Sequence, residues 1–276
     1  MTLSVRNNYF RAGIALSFLS LAITLALTLM TFSAYPQVGA AAVRTTGIFQ
    51  SLVSRFFQSQ AYVSLATMAS ALLYALVAMI LIYYFFEKTQ SPEILFFGLF
   101  VSSFAFEGLR TLAPLREIYA FPAFYLILGS RTLLFARFFG IYSLFAASVY
   151  AAGLGEQKQG NIVFIIAIAA LVTALGVPID GLAWDSSFMM IRGYPSMLRL
   201  VETGIMLITM LSFLISAYSR GSREYIFIGL GSFLVFLGRT MLLASDTWIT
   251  PLPALLLLAG GTWIICVQLH HVYLWI

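Results

Sequence analysis

The chain has 276 residues, of which 61% are hydrophobic and only 9% charged, with a formal net charge of +5. Soluble domains carry roughly 25% charged residues, so a chain this poor in charge cannot cover its surface in water and must have lipid as its solvent. The single cysteine, Cys266, excludes an internal disulfide, and no basic tract with interleaved aromatics is present to track a nucleic acid.

A membrane-crossing helix needs about 20 mostly apolar residues. Eight such runs follow in order, near 11–34, 61–86, 92–113, 121–150, 161–184, 196–218, 225–245 and 251–275. The expected fold is therefore an all-α polytopic helical bundle, one membrane domain over residues 1–276. Within it, residues 1–60 form an N-terminal helix and an outer amphipathic segment, and residues 61–276 a seven-helix core. The first run has a basic start and small residues near Ala34 and Ala40, but its apolar stretch is longer than that of a cleaved signal, which favours a retained helix. In "GIFQSLVSRFFQSQ" (47–60), Ile48, Phe49, Leu52, Val53, Phe56 and Phe57 recur at helical spacing. This segment reads as an interfacial helix on the outer leaflet, or else as an outward extension of the second span.

Positive charge collects on the cytoplasmic side of membrane proteins. With the N-terminus inside, Arg6, Arg11, Lys88, Lys158, Arg220 and Arg223 are internal, and Arg44, Arg55, Arg116 and Arg192 external. Both termini are accordingly expected in the cytoplasm. "SPEILFFGL" (91–99) echoes "SREYIFIGL" (222–230), and each helix then meets an Arg-Thr pair, at Arg110 and Arg239. An offset of four helices preserves orientation, which raises the expectation of two parallel four-helix pseudo-repeats.

Seven charged residues lie inside the apolar runs: Glu107, Arg110, Arg131, Arg137, Arg199, Glu202 and Arg239. A guanidinium at mid-bilayer costs roughly 2.5–3.5 kcal/mol, so each needs a reason. Glu107–Arg110 and Arg199–Glu202 stand at i,i+3 and share a helix face. One reading makes these pairs local ties between helices. The other notes that most of the seven fall in the outer half of the membrane, where arginines outnumber acids, with Asp180 and Asp185 close enough to offset part of the excess. Arginine forks suit carboxylate and phosphate. On that reading Arg110, Arg131, Arg199 and Arg239 converge on an outward-facing cavity for an anion, and Glu107 and Glu202 orient the guanidiniums. Arg131 and Arg137 point about 120° apart on their helix, so Arg131 is the one assigned to the cavity and Arg137 to a bridge with a neighbouring helix or to the inner interface.

Other chemistries find little support. Lys88 and Lys158 sit in turns, so neither can carry a retinal Schiff base. His270 and His271 are adjacent and cannot form the i,i+4 pair of a helical metal site. Ser130 is remote from both histidines, and no glycine-rich phosphate loop occurs. Gly260 and Gly261 read as close helix packing, and Gly176 with Pro178 as a kink in the fifth helix. No catalytic residue, cofactor or metal is expected.

From about residue 61 onward, three stretches carry a family likeness: "SPEILFFGLFVSS", "RTLLFARFFGIYS" and "SRGSREYIFIGLGSFLVFLGRTMLL". Their loop lengths and residue types resemble the membrane module of bacterial seven-transmembrane receptors with diverse intracellular signalling modules. The resemblance implies a bacterial inner-membrane location and a sensory role. Such receptors pair an outer sensor domain with a cytoplasmic signalling domain. Here about 25 residues separate the first two spans and none follows Ile276, so signalling would run through a partner protein. The resulting expectation is a receptor-like membrane protein binding an anionic small molecule or lipid headgroup. A transporter of an organic anion or lipid, and a structural subunit of a membrane complex, are the alternatives.

Overall fold

The computed structural model describes residues 2–34, 61–89, 91–153, 159–245 and 247–274. The interfacial helix expected at 47–60 and the charges at Arg44, Arg55 and Lys158 lie outside them. Among the described residues eight helices are long and apolar enough to cross a membrane, and the chain is an all-α, multi-pass bundle. In order these are α1 (Leu3–Ala34), α2 (Ala61–Phe86), a composite third span, α5 (Ala123–Ala151), α6 (Gln159–Gly176), α7 (Pro195–Arg220), α8 (Glu224–Leu243) and α9 (Pro251–Leu274).

The third span is α3 (Pro92–Ser103), a 3-10 segment (Phe104–Thr111) and α4 (Leu112–Tyr119). Residues 113–119, expected as a connecting loop, are thus helical. The break has a local cause. Pro114 has no N–H for the helix ladder and crowds the preceding turn. Ser102 and Ser103 donate their hydroxyls back to the carbonyls of Leu99 and Phe100, at 2.9 and 2.7 Å. A carbonyl in the 3-10 segment, that of Ala105, is taken up by Ser20 Oγ of α1 at 2.5 Å. A 3-10 helix eclipses residues three apart, which stacks Glu107 directly with Arg110.

The fifth span ends earlier than expected. Pro178 cannot continue α6, and the chain turns into β1 (Ile179–Trp184), paired antiparallel with β2 (Met190–Arg192) through Ile179↔Arg192 and Trp184↔Met190. Asp185 builds the tip: its Oδ1 accepts from Ser187 N, Ser187 Oγ and Met189 N at 3.0, 2.7 and 2.9 Å. The tip is inserted into the bundle rather than laid on it. Ser187, Met189 and Met190 are buried, and Ser64 Oγ of α2 donates to Ser186 O at 2.7 Å.

The opposite end gathers both chain ends. Arg6 Nη2 of α1 donates to the last carbonyls of α2, Phe86 O at 2.7 Å and Glu87 O at 3.0 Å. These are the acceptors a helix C-terminus leaves open. Phe86 also meets the His270 ring of α9 edge-on. The N-terminus of α1 and the C-terminus of α9 therefore share one end of the bundle, and the hairpin marks the other. At the terminal end the two echoed turns make the same contact: Ser91 Oγ donates to Glu93 at 2.9 Å, and Ser222 Oγ to Glu224.

α8 and α9 pack backbone to backbone. A Cβ on Gly261 would meet Gly231 O at 2.7 Å, so only glycine permits that approach, whereas Gly260 faces open space. α7 and α8 meet near the terminal end, where Gly229 lies against Phe213. The core between the helices is aromatic, built on Phe96, Phe97, Phe100, Phe104, Tyr150, Phe213 and Tyr225.

Candidate functional site

The 3-10 segment delivers Glu107 and Arg110 to the hairpin end of the core, both buried. Arg137 arrives from α5 and closes a forked pair on Glu107: Nε–Oε1 2.8 Å, Nη2–Oε2 2.7 Å. Arg110 Nη1 stands 3.6 Å from the same carboxylate. The Arg110 Nε and Nη2 both donate to the Ser187 carbonyl at the hairpin tip. One carboxylate thus serves two buried guanidiniums, and the second guanidinium anchors the hairpin.

Above this layer α7, α8 and the hairpin line a cleft of about 620 Å³. That lies within the range of small-molecule sites, roughly 300–1,000 Å³. Its polar end is lined by Arg137, Asp185, Arg192, Arg199, Glu202 and Arg239, and its apolar end by Met206, Leu207, Met210, Phe233, Phe236 and Leu237. Arg239 is only 2% exposed. Among the described residues its one hydrogen bond runs from Nη2 to the Arg137 carbonyl, 3.1 Å. Arg192 sits at the base of β2. Burial pulls its guanidinium below the ordinary arginine value and Arg137 adds to this, while Glu202, Asp185 and Glu107 oppose it. An arginine so placed remains a cation at any physiological pH. Cleft and floor together hold Arg110, Arg137, Arg192, Arg199 and Arg239 against Glu107, Asp185 and Glu202. The excess is cationic, and low local dielectric strengthens the attraction for an anion.

The expected set is redistributed. Arg199 and Arg239 line the cleft with Glu202, but Arg110 and Glu107 lie under its floor. Arg131 is elsewhere. Its Nη1 donates to the carbonyls of Ala174, Leu175 and Val177 at 2.5, 3.0 and 2.5 Å. It caps the C-terminus of α6, where a cation satisfies carbonyls that Pro178 leaves without an N–H. The cavity position goes instead to Arg137, which also makes the helix bridge expected of it. Arg199 donates Nε to Pro195 O at 3.4 Å; no Arg199–Glu202 ion pair occurs among the described residues, because the exposed guanidinium extends toward the helix start. Arg192 and Ser187 were not singled out by sequence. The signal available was the position of Arg192 just before "GYP", in a connection treated as an outer loop.

The cleft closes toward the terminal end. About one turn below Met210 and Phe233 stand Phe213 and Ile228, both 1% exposed, in the same buried cluster as Tyr150. A second cavity, about 300 Å³ and almost wholly apolar, lies between α2 and α9 beside Tyr74, Trp263 and Cys266. Among the described residues no cluster of three or more His, Cys, Asp or Glu is placed to hold a metal.

No family model matches the chain. It is 29% identical over 192 residues to an "Uncharacterized protein" of Treponema pallidum (strain Nichols), a match covering 62% of this chain and 56% of that protein. The chain thus spans little more than half the length of that relative.

Proposed function

We propose that this chain is a receptor-like sensory membrane protein that captures an anionic group, from a small molecule or a lipid headgroup, in the arginine cleft. The observation that carries the reading is Arg239: a buried guanidinium at a cleft wall whose hydrogen-bonding capacity is mostly unspent. Among the described residues Arg239 makes no ion pair, a costly state for a buried charge, and an arriving anion would gain forked, charge-assisted hydrogen bonds from Arg239, Arg192 and Arg199. The apolar closure at Phe213 and Ile228 supports binding over passage. The terminal end carries Arg6, Arg11, Lys88, Arg220 and Arg223, which supports placing it in the cytoplasm of a bacterial inner membrane. The signal would pass from there to a partner protein.

A transporter is the second reading, and one observation favours it. The 3-10 break in the third span sits at the charged layer, where interrupted helices mark hinges and substrate sites.

Titration of the detergent-purified protein with inorganic phosphate tests the proposal. Saturable binding, weakened by salt and lost in Arg239→Leu, is expected. Equal binding by wild type and variant, or none by either, would overturn it. Uptake of phosphate into proteoliposomes would favour transport.

A further inference from the structure

The shape of the cleft narrows the class of its occupant. α7 and α8 are joined by the short turn at Gly221–Arg223 and touch at Gly229 and Phe213, where a Cβ on the glycine would lie 3.2 Å from the Phe213 Cβ. Between that contact and the hairpin, residues of both helices line the cleft. Leu207, Phe233 and Leu237, which line its apolar end, are 56%, 38% and 37% exposed. These positions lie within the membrane-crossing stretches of α7 and α8, so the solvent they face is hydrocarbon. The arginines lie at the hairpin end of the same opening, at the level of the helix ends where a bilayer keeps its headgroups. A site for a soluble anion would be walled off from lipid. This one is charged at interface height and open to acyl chains below it.

We infer, resting on the anion-binding reading above, that the natural occupant is a phosphate-headed amphiphile. It enters laterally from the bilayer between α7 and α8, its phosphate on Arg192, Arg199 and Arg239 and its chain along Leu207, Phe233 and Leu237. Phosphate is favoured over a single carboxylate because guanidiniums from the hairpin, α7 and α8 approach from three directions, and a phosphate offers more oxygens to them. Glu202 of α7 and Asp185 of the hairpin tip, which line the same cleft, accept hydrogen bonds from headgroup hydroxyls.

The test compares three probes on the detergent-purified protein: dihexanoyl phosphatidate, inorganic phosphate and dihexanoyl phosphatidylcholine. Each methylene withdrawn from water favours binding about fourfold, so the phosphatidate should bind at least about 10-fold more tightly than inorganic phosphate. Dihexanoyl phosphatidylcholine should bind more weakly than the phosphatidate. Arg199→Gln, at an exposed position, should weaken the two net-anionic probes, the phosphatidate and inorganic phosphate. Leu207→Trp, which narrows the lipid-facing opening, should weaken the phosphatidate several-fold and leave inorganic phosphate unchanged. If inorganic phosphate and the phosphatidate bind equally and Leu207→Trp affects neither, the amphiphile is wrong and the anion site stands. If the phosphatidylcholine, whose phosphate is balanced by choline, binds as well as the phosphatidate, the cleft is a general lipid groove and the assignment of a net-anionic phosphate headgroup falls. If none binds, both inferences fall.

Discussion

Arg137 holds Glu107 in a two-point grip, Nε on Oε1 at 2.8 Å and Nη2 on Oε2 at 2.7 Å, across the interface between the fourth and third spans. Both residues are nearly inaccessible. Arg110 leans on the same carboxylate and holds the hairpin tip by the Ser187 carbonyl. The charge layer is thus a structural floor as well as the bottom of a cleft.

Glu107→Gln should leave two buried guanidiniums without a counter-charge. Breaking one partner of a buried pair costs about 3–5 kcal/mol, whereas replacing the pair with apolar residues of similar volume is close to neutral. Thermal unfolding in detergent should therefore show a large loss for Glu107→Gln and a recovery when it is combined with Arg110→Met and Arg137→Met. A single variant as stable as wild type would contradict the ion-pair floor.

Arg131→Leu separates the two roles that sequence alone assigns to one residue. It removes the cap on α6 and should cost about 1–2 kcal/mol of stability. Phosphate binding at the cleft should not change. A lost binding signal with an unchanged melting temperature would return Arg131 to the site.

Asp185→Ala deletes the acceptor for three donors in the hairpin tip. With a net value of roughly 1–1.5 kcal/mol for each of the bonds, the tip should loosen. Faster proteolysis within 185–190 and weaker phosphate binding would be read together, since Arg192 follows on the same hairpin. Unchanged proteolysis would show that Arg110 and Ser64 suffice to hold the tip.

Gly261→Leu should force α8 and α9 apart, because even a Cβ would meet the Gly231 carbonyl and the Val235 amide at 2.7 and 2.9 Å. Overpacking of this kind costs about 1–3 kcal/mol. Gly260→Leu, facing open space, is the internal control and should have little effect on the melting temperature.

How much of this was legible in the sequence differs by residue. The eight spans follow from apolar run length, which is a property of single segments. The importance of Glu107, Arg110, Arg199, Glu202 and Arg239 followed from the cost of burying charge. What failed was the assignment of direction. Arg131 and Arg137 differ by 120° around one helix, and only the packing of α5 against both the third span and α6 says which neighbour each meets. The hairpin was hidden because "GVPIDGLAW" is apolar enough to extend a helix on hydropathy, while Pro178 decides otherwise. Arg192 was missed for the same reason, since nothing local says that an outer connection folds back into the bundle. The echo at Arg110 and Arg239 did place two arginines near one layer. Their roles diverge, however, with one in the floor and one on the wall. The neighbours of the fifth span do not mirror those of the first either: α6 packs on α5, whereas α1 packs on α2 and the third span.

Whether an anion sits in the cleft between α7 and α8 can be seen in a structure of the protein in nanodiscs containing phosphatidate. Density is expected between α7 and α8, with a phosphate within about 3.5 Å of the Arg239 guanidinium and of Arg192 or Arg199. An unoccupied cleft under those conditions, or a phosphate held only elsewhere on the bundle such as at the α2–α9 groove, would contradict the anion site.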